Sequence, residues 1–171
     1  MTLKKNDIRL SLFLLIFLII GIIGLNSCHF YDENALFDLT KKWCVIPLVL
    51  ISLFWSYRIT FGYDTSQKFL KNTLGFIVMT IISMMLLYVS FEGNLLIINS
   101  YIGKQQDYLI TGEVIKLKYP ENKKMLNHYS IIIQLSKKND SVELIVPTNE
   151  YIVGDKFEQD MKIGSLGVLY K

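Results

Sequence analysis

Hydrophobic and polar positions follow two different rhythms along this chain. The first hundred residues hold three long apolar runs, and the rest alternates with a period of two. The first run, "LSLFLLIFLIIGIIGLNSCHF" (residues 10–30), has no charged residue. Thirteen of the positions from Leu10 to Leu25 are Leu, Ile or Phe. At roughly −0.3 to −0.6 kcal/mol each, they favour membrane insertion by about 4 to 8 kcal/mol. The second run is "WCVIPLVLISLFWSY" (Trp43–Tyr57). Its fifteen residues rise roughly 22 Å, short of a hydrocarbon core of roughly 30 Å. The span therefore extends through "RITFGY", with Arg58 snorkelling to the headgroups. Trp43 at one end, and Trp55, Tyr57 and Tyr63 near the other, fit two aromatic belts. Pro47 falls near the start of this run, where proline costs a helix least. The third run, "TLGFIVMTIISMMLLYVSF" (Thr73–Phe91), rises roughly 28 Å and is a full span. Ser52, Ser56, Gly75, Ser83 and Ser90 are small enough to let helices approach closely. Met79, Met84 and Met85 read as packing residues.

After Asp107 the period becomes two, the mark of half-buried strands. In "EVIKLKY" the residues Ile115, Leu117 and Tyr119 share a side. In "HYSIIIQL" Tyr129, Ile131, Ile133 and Leu135 do so, opposite Ser130 and Gln134. In "SVELIV" Val142, Leu144 and Val146 do so, with Glu143 on the solvent side. "KFEQDMKI" and "SLGVLY" supply a fourth and a fifth strand. "PENKK", "SKKND", Pro147 and the Gly154–Asp155 pair mark turns. Gly112 and Gly167 fall inside strand patterns and suggest bulges or sharp bends.

The two rhythms predict a membrane α-helical part with three transmembrane helices, followed by a small all-β domain, a five-stranded SH3-like or OB-like barrel. The boundaries are a cytoplasmic N-terminus at 1–9, helices at 10–27, 43–61 and 73–91, an outer loop at 28–42 and a cytoplasmic loop at 62–72. A linker at 92–106 leads to the barrel domain at 107–171. Composition agrees: of 171 residues only 19% are charged, against about 25% in soluble domains, and the charges concentrate after Asp107.

Positive residues set the orientation. Lys4, Lys5 and Arg9 precede the first span, and Arg58, Lys68 and Lys71 flank the link between the second and third. Lys41 and Lys42 are offset by Asp32, Glu33 and Asp38. This predicts the N-terminus and residues 62–71 inside, with residues 26–42 and the tail outside. Net charge is +3, and ten lysines face nine acids after Gly103. No concentrated basic face exists for nucleic acid. The doublets Lys123–Lys124 and Lys137–Lys138, flanked by Glu121 and Asp140, read as solvated turns.

Cys28 and Cys44 fall near one membrane face if both flanking spans are helical, which makes them a disulfide candidate. Closing about 17 residues is worth roughly 3 kcal/mol in the chain-entropy model. The alternative is two buried thiols acting as small hydrophobes. A third possibility comes from "LNSC", preceded by basic residues and an apolar core. It resembles a bacterial lipoprotein signal in which Cys28 becomes the lipidated N-terminus, although Asn26 and the long core depart from that pattern.

Candidate chemistry is sparse. His29 and His128 have no Asp or Ser at a recognisable spacing and read as surface residues. Glu158 and Asp160 lie two apart on one strand face, toward solvent. Asn139-Asp140-Ser141 matches a glycosylation acceptor but reads as a hairpin tip. Two cysteines and two histidines from separate regions do not suggest a zinc site. Catalytic, cofactor-binding and metal residues are therefore expected to be none, and the expected partners are the lipid bilayer and an unidentified membrane or envelope protein.

"ITGEVIKLKY", "YSIIIQL", "VELIVPTNEYIVGD" and "KIGSLGVLY", taken together, resemble the soluble β-domain of small bacterial multi-span membrane proteins of unknown function. The resemblance covers about 60 residues and implies a fold and a membrane association, with no catalytic residue to carry over. The functional expectation is a non-enzymatic inner-membrane protein presenting an extracytoplasmic barrel as an interaction or structural module. Rivals are an immunity-type protein that protects against a toxin, and a lipoprotein cleaved before Cys28 that keeps two spans. A component of an enzyme or transporter that is complete only with partners ranks last, because the spans hold almost no polar residue.

Overall fold

The computed structural model describes residues 5–28, 30–62, 69–118, 129–136 and 140–171. Lys4, His29, Tyr63, Lys68, Tyr119, Glu121, Lys123, Lys124, His128, Lys137, Lys138 and Asn139, all named above, lie outside the described residues. The elements run α1 (Lys5–Ser27), β1 (Tyr31–Asp32), α2 (Glu33–Phe61), α3 (Phe69–Tyr101), β2 (Gln106–Lys118), β3 (Tyr129–Leu135), β4 (Ser141–Val146), β5 (Lys156–Ile163) and β6 (Leu169–Tyr170). They form two compact units. One comprises Met1–Ile23 with Leu39–Asn94, the other Gly24–Asp38 with Leu95–Lys171.

Ile8–Ser27, Glu33–Phe61 and Phe69–Tyr101 are each long and apolar enough to cross a membrane. All three helices exceed the predicted spans, α1 by a few residues at its start and the other two by much more. The expected outer loop 28–42 is helical from Glu33 onward, because Asp32 caps the helix: its Oδ1 accepts a 3.0 Å bond from Ala35 N. An N-cap acid followed by Glu33 in the first turn is a strong start signal. Pro47 consequently sits in the interior of α2, not near its start. Apolar helices in lipid tolerate this when neighbours satisfy the freed carbonyl. The expected linker 92–106 is also mostly helix, since α3 continues to Tyr101.

Small residues carry the packing of the helical unit. Gly21 and Gly93 let α1 and α3 cross backbone against backbone. A methyl group on Gly21 would sit 2.5 Å from Ser90 Cα, and one on Gly93 would overlap the Gly21 carbonyl. Asn94 Nδ2 fastens the crossing by donating to Phe17 O at 3.1 Å and to Ser90 O at 2.7 Å. Phe17 and Phe91 meet edge to face with centroids 5.0 Å apart. On α2, Thr40, Cys44, Leu48, Ser52 and Ser56 form a buried stripe with a spacing of four. Close backbone approach recovers dispersion that side-chain burial cannot supply when lipid is the solvent.

The second unit is a closed barrel of six antiparallel strands in the order β1-β4-β3-β2-β5-β6. The expected five strands are all present, and the sixth, β1, comes from the segment between the first two spans. Its two residues are too short to show a period, and its partners lie over a hundred positions away: Tyr31 pairs with Ile145 and Tyr170. The core holds Ile110, Val114, Ile131, Ile133, Leu144, Val146, Phe157 and Met161. The predicted inward residues of β3 and β4 therefore stand. Those of β2 shift, because a bulge lies between Val114 and Lys116. The residues facing inward are Ile110, Val114 and then Leu117, while Ile115 is 45% exposed. Gly112 is a site of close approach and not the bulge itself. A Cβ there would meet Ile133 Cγ2 at 2.5 Å, and at this position β2 passes from pairing with β5 to pairing with β3.

Candidate functional site

The barrel unit carries two polar arrangements, one on the outer face of β4 and one at the loop before β6. The first centres on Glu143, which the alternation of β4 places opposite the core. It is nevertheless only 7% exposed. Lys118 Nζ donates to both carboxylate oxygens at 2.6 Å, and Ser130 Oγ donates to Oε1 at 2.7 Å. The register explains the convergence: Lys118 lies beside Ser130 across β2–β3, and Glu143 is one step along β4 from the partner of Ile131. The first turn of α2 completes the cluster through a side-chain hydrogen bond from Asn34. Burial alone would push the Glu143 carboxyl up. The bonds and the charge of Lys118, with those from Ser130 and Asn34, outweigh it and hold the group below its ordinary range. Asp32, beside it, is pushed up by burial, opposed by backbone bonds from Ala35 and Asn34 and reinforced by the charges of Glu143 and Asp38. A carboxylate whose oxygens are taken up in this way is a fixed anion that ties three strands and a helix start together.

The second arrangement is the clasp made by Asn99 near the end of α3. Its Nδ2 donates to Val168 O at 2.9 Å, and its Oδ1 accepts from Leu166 N at 3.0 Å and Val168 N at 3.3 Å. Its carbonyl accepts from Ser165 N at 3.2 Å. One residue on, Ser100 O accepts from Tyr170 Oη at 3.2 Å. Gly164 is obligatory here, because a Cβ would overlap the Asn99 backbone and side chain. The "KIGSLGVLY" motif is thus the loop that grips the end of α3. Sequence reasoning missed Asn99 and treated Glu143 as solvent-facing. The available signal was an asparagine at 94 and again at 99, just after Glu92, where the long apolar run of α3 ends.

The remaining candidates disperse. Cys28 and Cys44 are free and buried. Burial pushes the Cys28 thiol up, against a hydrogen bond with the Ser100 side chain. Glu158 and Asp160 are exposed on β5. Arg58 is half-buried near the end of α2, its guanidinium 6.0 Å from the Phe54 ring centroid. An open hollow of about 780 Å³ on the outer wall is bordered by Asp107, Leu109, Asp160, Lys162, Tyr170 and Lys171. In it the acids and lysines are interleaved, with Asp107 registered opposite Lys162. Among the described residues, no three His, Cys, Asp or Glu side chains gather closely enough to hold a metal ion. Compared with protein-family models, curated proteins and solved structures, the chain matches none.

Proposed function

We propose that this chain is a non-enzymatic, three-span inner-membrane protein that displays its barrel outside the cytosol as an interaction module. The observation that carries the reading is the pairing of β1 with β4 and β6. Residues 31–32 follow the first span and the other strands follow the third, so a shared sheet requires both stretches on one side of the membrane. The two crossings between them, α2 and α3, satisfy that parity, whereas one or three would not. Lys5 and Arg9 at the start of the first span, and Arg58 and Lys71 around the second connection, favour the cytosol for the opposite side. The buried Asn99 clasp and the fixed Glu143 carboxylate are structural devices, and they support a display role for the outer wall. The small curved barrel is of the SH3-like or OB-like kind that the resemblance implies. Burial of Cys28 favours retention of the first helix over cleavage and lipidation, which would draw the sulfur out of its packing.

The test is in-cell crosslinking followed by purification of the full chain in mild detergent. The expected result is a membrane or envelope protein crosslinked through residues 95–171. Recovery of the lone chain after crosslinking, with no protein joined to the barrel, would overturn the display role.

A further inference from the structure

The barrel closes at one end and leaves a strand edge open at the other. β2 runs beside all of β5, from Lys156 to Ile163. On the opposite side β6 reaches only Lys162 and Ile163, and β1 covers β4 only at Leu144 and Ile145. Among the described residues, the edge from Lys156 to Met161 has no strand beside it. The ladder fixes which peptide groups face outward. Val114 N donates to Asp155 O at 2.9 Å, so the peptide groups of Phe157, Gln159 and Met161, at every second position, point toward β2. Those of Glu158 and Asp160 point to the open edge. One side chain reaches there, since Gln159 Nε2 donates a long 3.3 Å bond to Asp160 O.

We propose that this edge accepts an extended, basic protein segment as an added strand. The inference rests on the display reading above and names the surface and the partner class. The backbone of Glu158 and Asp160 supplies the hydrogen bonds, as in strand addition generally. Their exposed carboxylates select the occupant: residues that land opposite them carry Lys or Arg, since opposite charges across strands stabilise and like charges repel. Charged side chains on an edge also deter indiscriminate pairing, and Lys156 and Lys162, exposed on the same face at either end of the acidic pair, confine the preference for basic residues to the two positions opposite Glu158 and Asp160.

The test uses the full-length protein in detergent micelles, with amide exchange read by NMR. The probes are a short blocked peptide alternating lysine and valine, and its glutamate–valine counterpart. The lysine peptide is expected to slow exchange at the Glu158 and Asp160 amides by about tenfold, equivalent to a strand bound ten times more often than not, and the glutamate peptide is expected to leave them unchanged. The double variant Glu158→Lys with Asp160→Lys reverses that preference. Glu158→Pro removes an outward N–H and abolishes binding, with unchanged exchange at Ile131 and Ile133 reporting an intact core. The proposal is overturned if millimolar lysine peptide changes nothing, if both peptides protect equally, or if the two amides are already protected without peptide. A purified partner crosslinked to the barrel away from β5 would remove this edge and leave the display reading standing.

Discussion

The two units of this protein are held together by opposite means. In the helical unit the residues that matter are the small ones: Gly21, Gly93, Ser90, Ser52 and Ser56 are buried, while Leu12, Phe13, Leu15 and Ile16 are exposed. In the barrel unit the buried residues are large and branched, with Ile110, Ile131, Ile133 and Leu144 entirely enclosed. Helices long and apolar enough to cross a membrane suit a different solvent from the barrel. Lipid makes an exposed leucine costless, so helices gain by close backbone contact. Water penalises the same leucine, and the barrel gains by enclosing it. Polar groups differ in parallel. Asn94 fastens one helix crossing, whereas Asn99 and Glu143 are each bonded to several partners in the barrel unit.

The contrast sets an order of mutational costs. The largest expected effect is Ile133→Ala, which leaves a cavity in a closed core and costs about 2–5 kcal/mol in urea unfolding of the barrel. Leu15→Ala, the same kind of truncation on an exposed helix face, is expected to change stability by under about 0.5 kcal/mol. Next comes Gly93→Leu, which drives a side chain into the Gly21 backbone and costs about 3 kcal/mol, readable as loss of helix association in detergent while the barrel keeps its near-ultraviolet spectrum. Asn99→Ala follows. It leaves the Leu166 and Val168 amides without their acceptor and costs about 1–3 kcal/mol, with faster exchange confined to residues 164–170.

Glu143→Ala is the smallest of the effects expected at buried positions. Lys118 is half exposed and regains water, so the cost is about 1–2 kcal/mol. Its sign with pH is also fixed. A carboxyl held below its ordinary range stabilises the fold above its unfolded value of about 4.3, and that contribution is lost as pH falls through the lower folded value. Acid unfolding curves of the wild type and Glu143→Gln should therefore converge below about pH 4 and separate at neutral pH.

Much of this division was legible in the sequence, because both rhythms are direct consequences of geometry. The three spans and strands β3, β4 and β5 follow from apolar length and from period-two alternation at Ile131–Ile133 and Val142–Val146. The misreadings have local causes. The charges at Asp32, Glu33 and Asp38 suggested a loop, although an acid before an apolar-periodic stretch is equally a helix cap. The bulge after Val114 inverted the expected side of Ile115, and no residue type announces a bulge. Tyr31–Asp32 offers only two residues of strand, so its pairing is a tertiary fact. Glu143 looked solvent-facing because its cover, Asn34 and its neighbours, comes from that same misread segment.

The most direct measurement tests whether the stretch between the first two spans is a barrel strand. In a Cys28→Ala, Cys44→Ala background, Tyr31→Cys and Tyr170→Cys place two thiols on adjacent antiparallel partners. Mild oxidation of native membranes should join them within one chain, seen as loss of maleimide labelling that is restored by reductant. If both thiols stay free and label fully after oxidation, β1 does not pair with β6, and the shared-side argument for two crossings between β1 and the later strands fails with it.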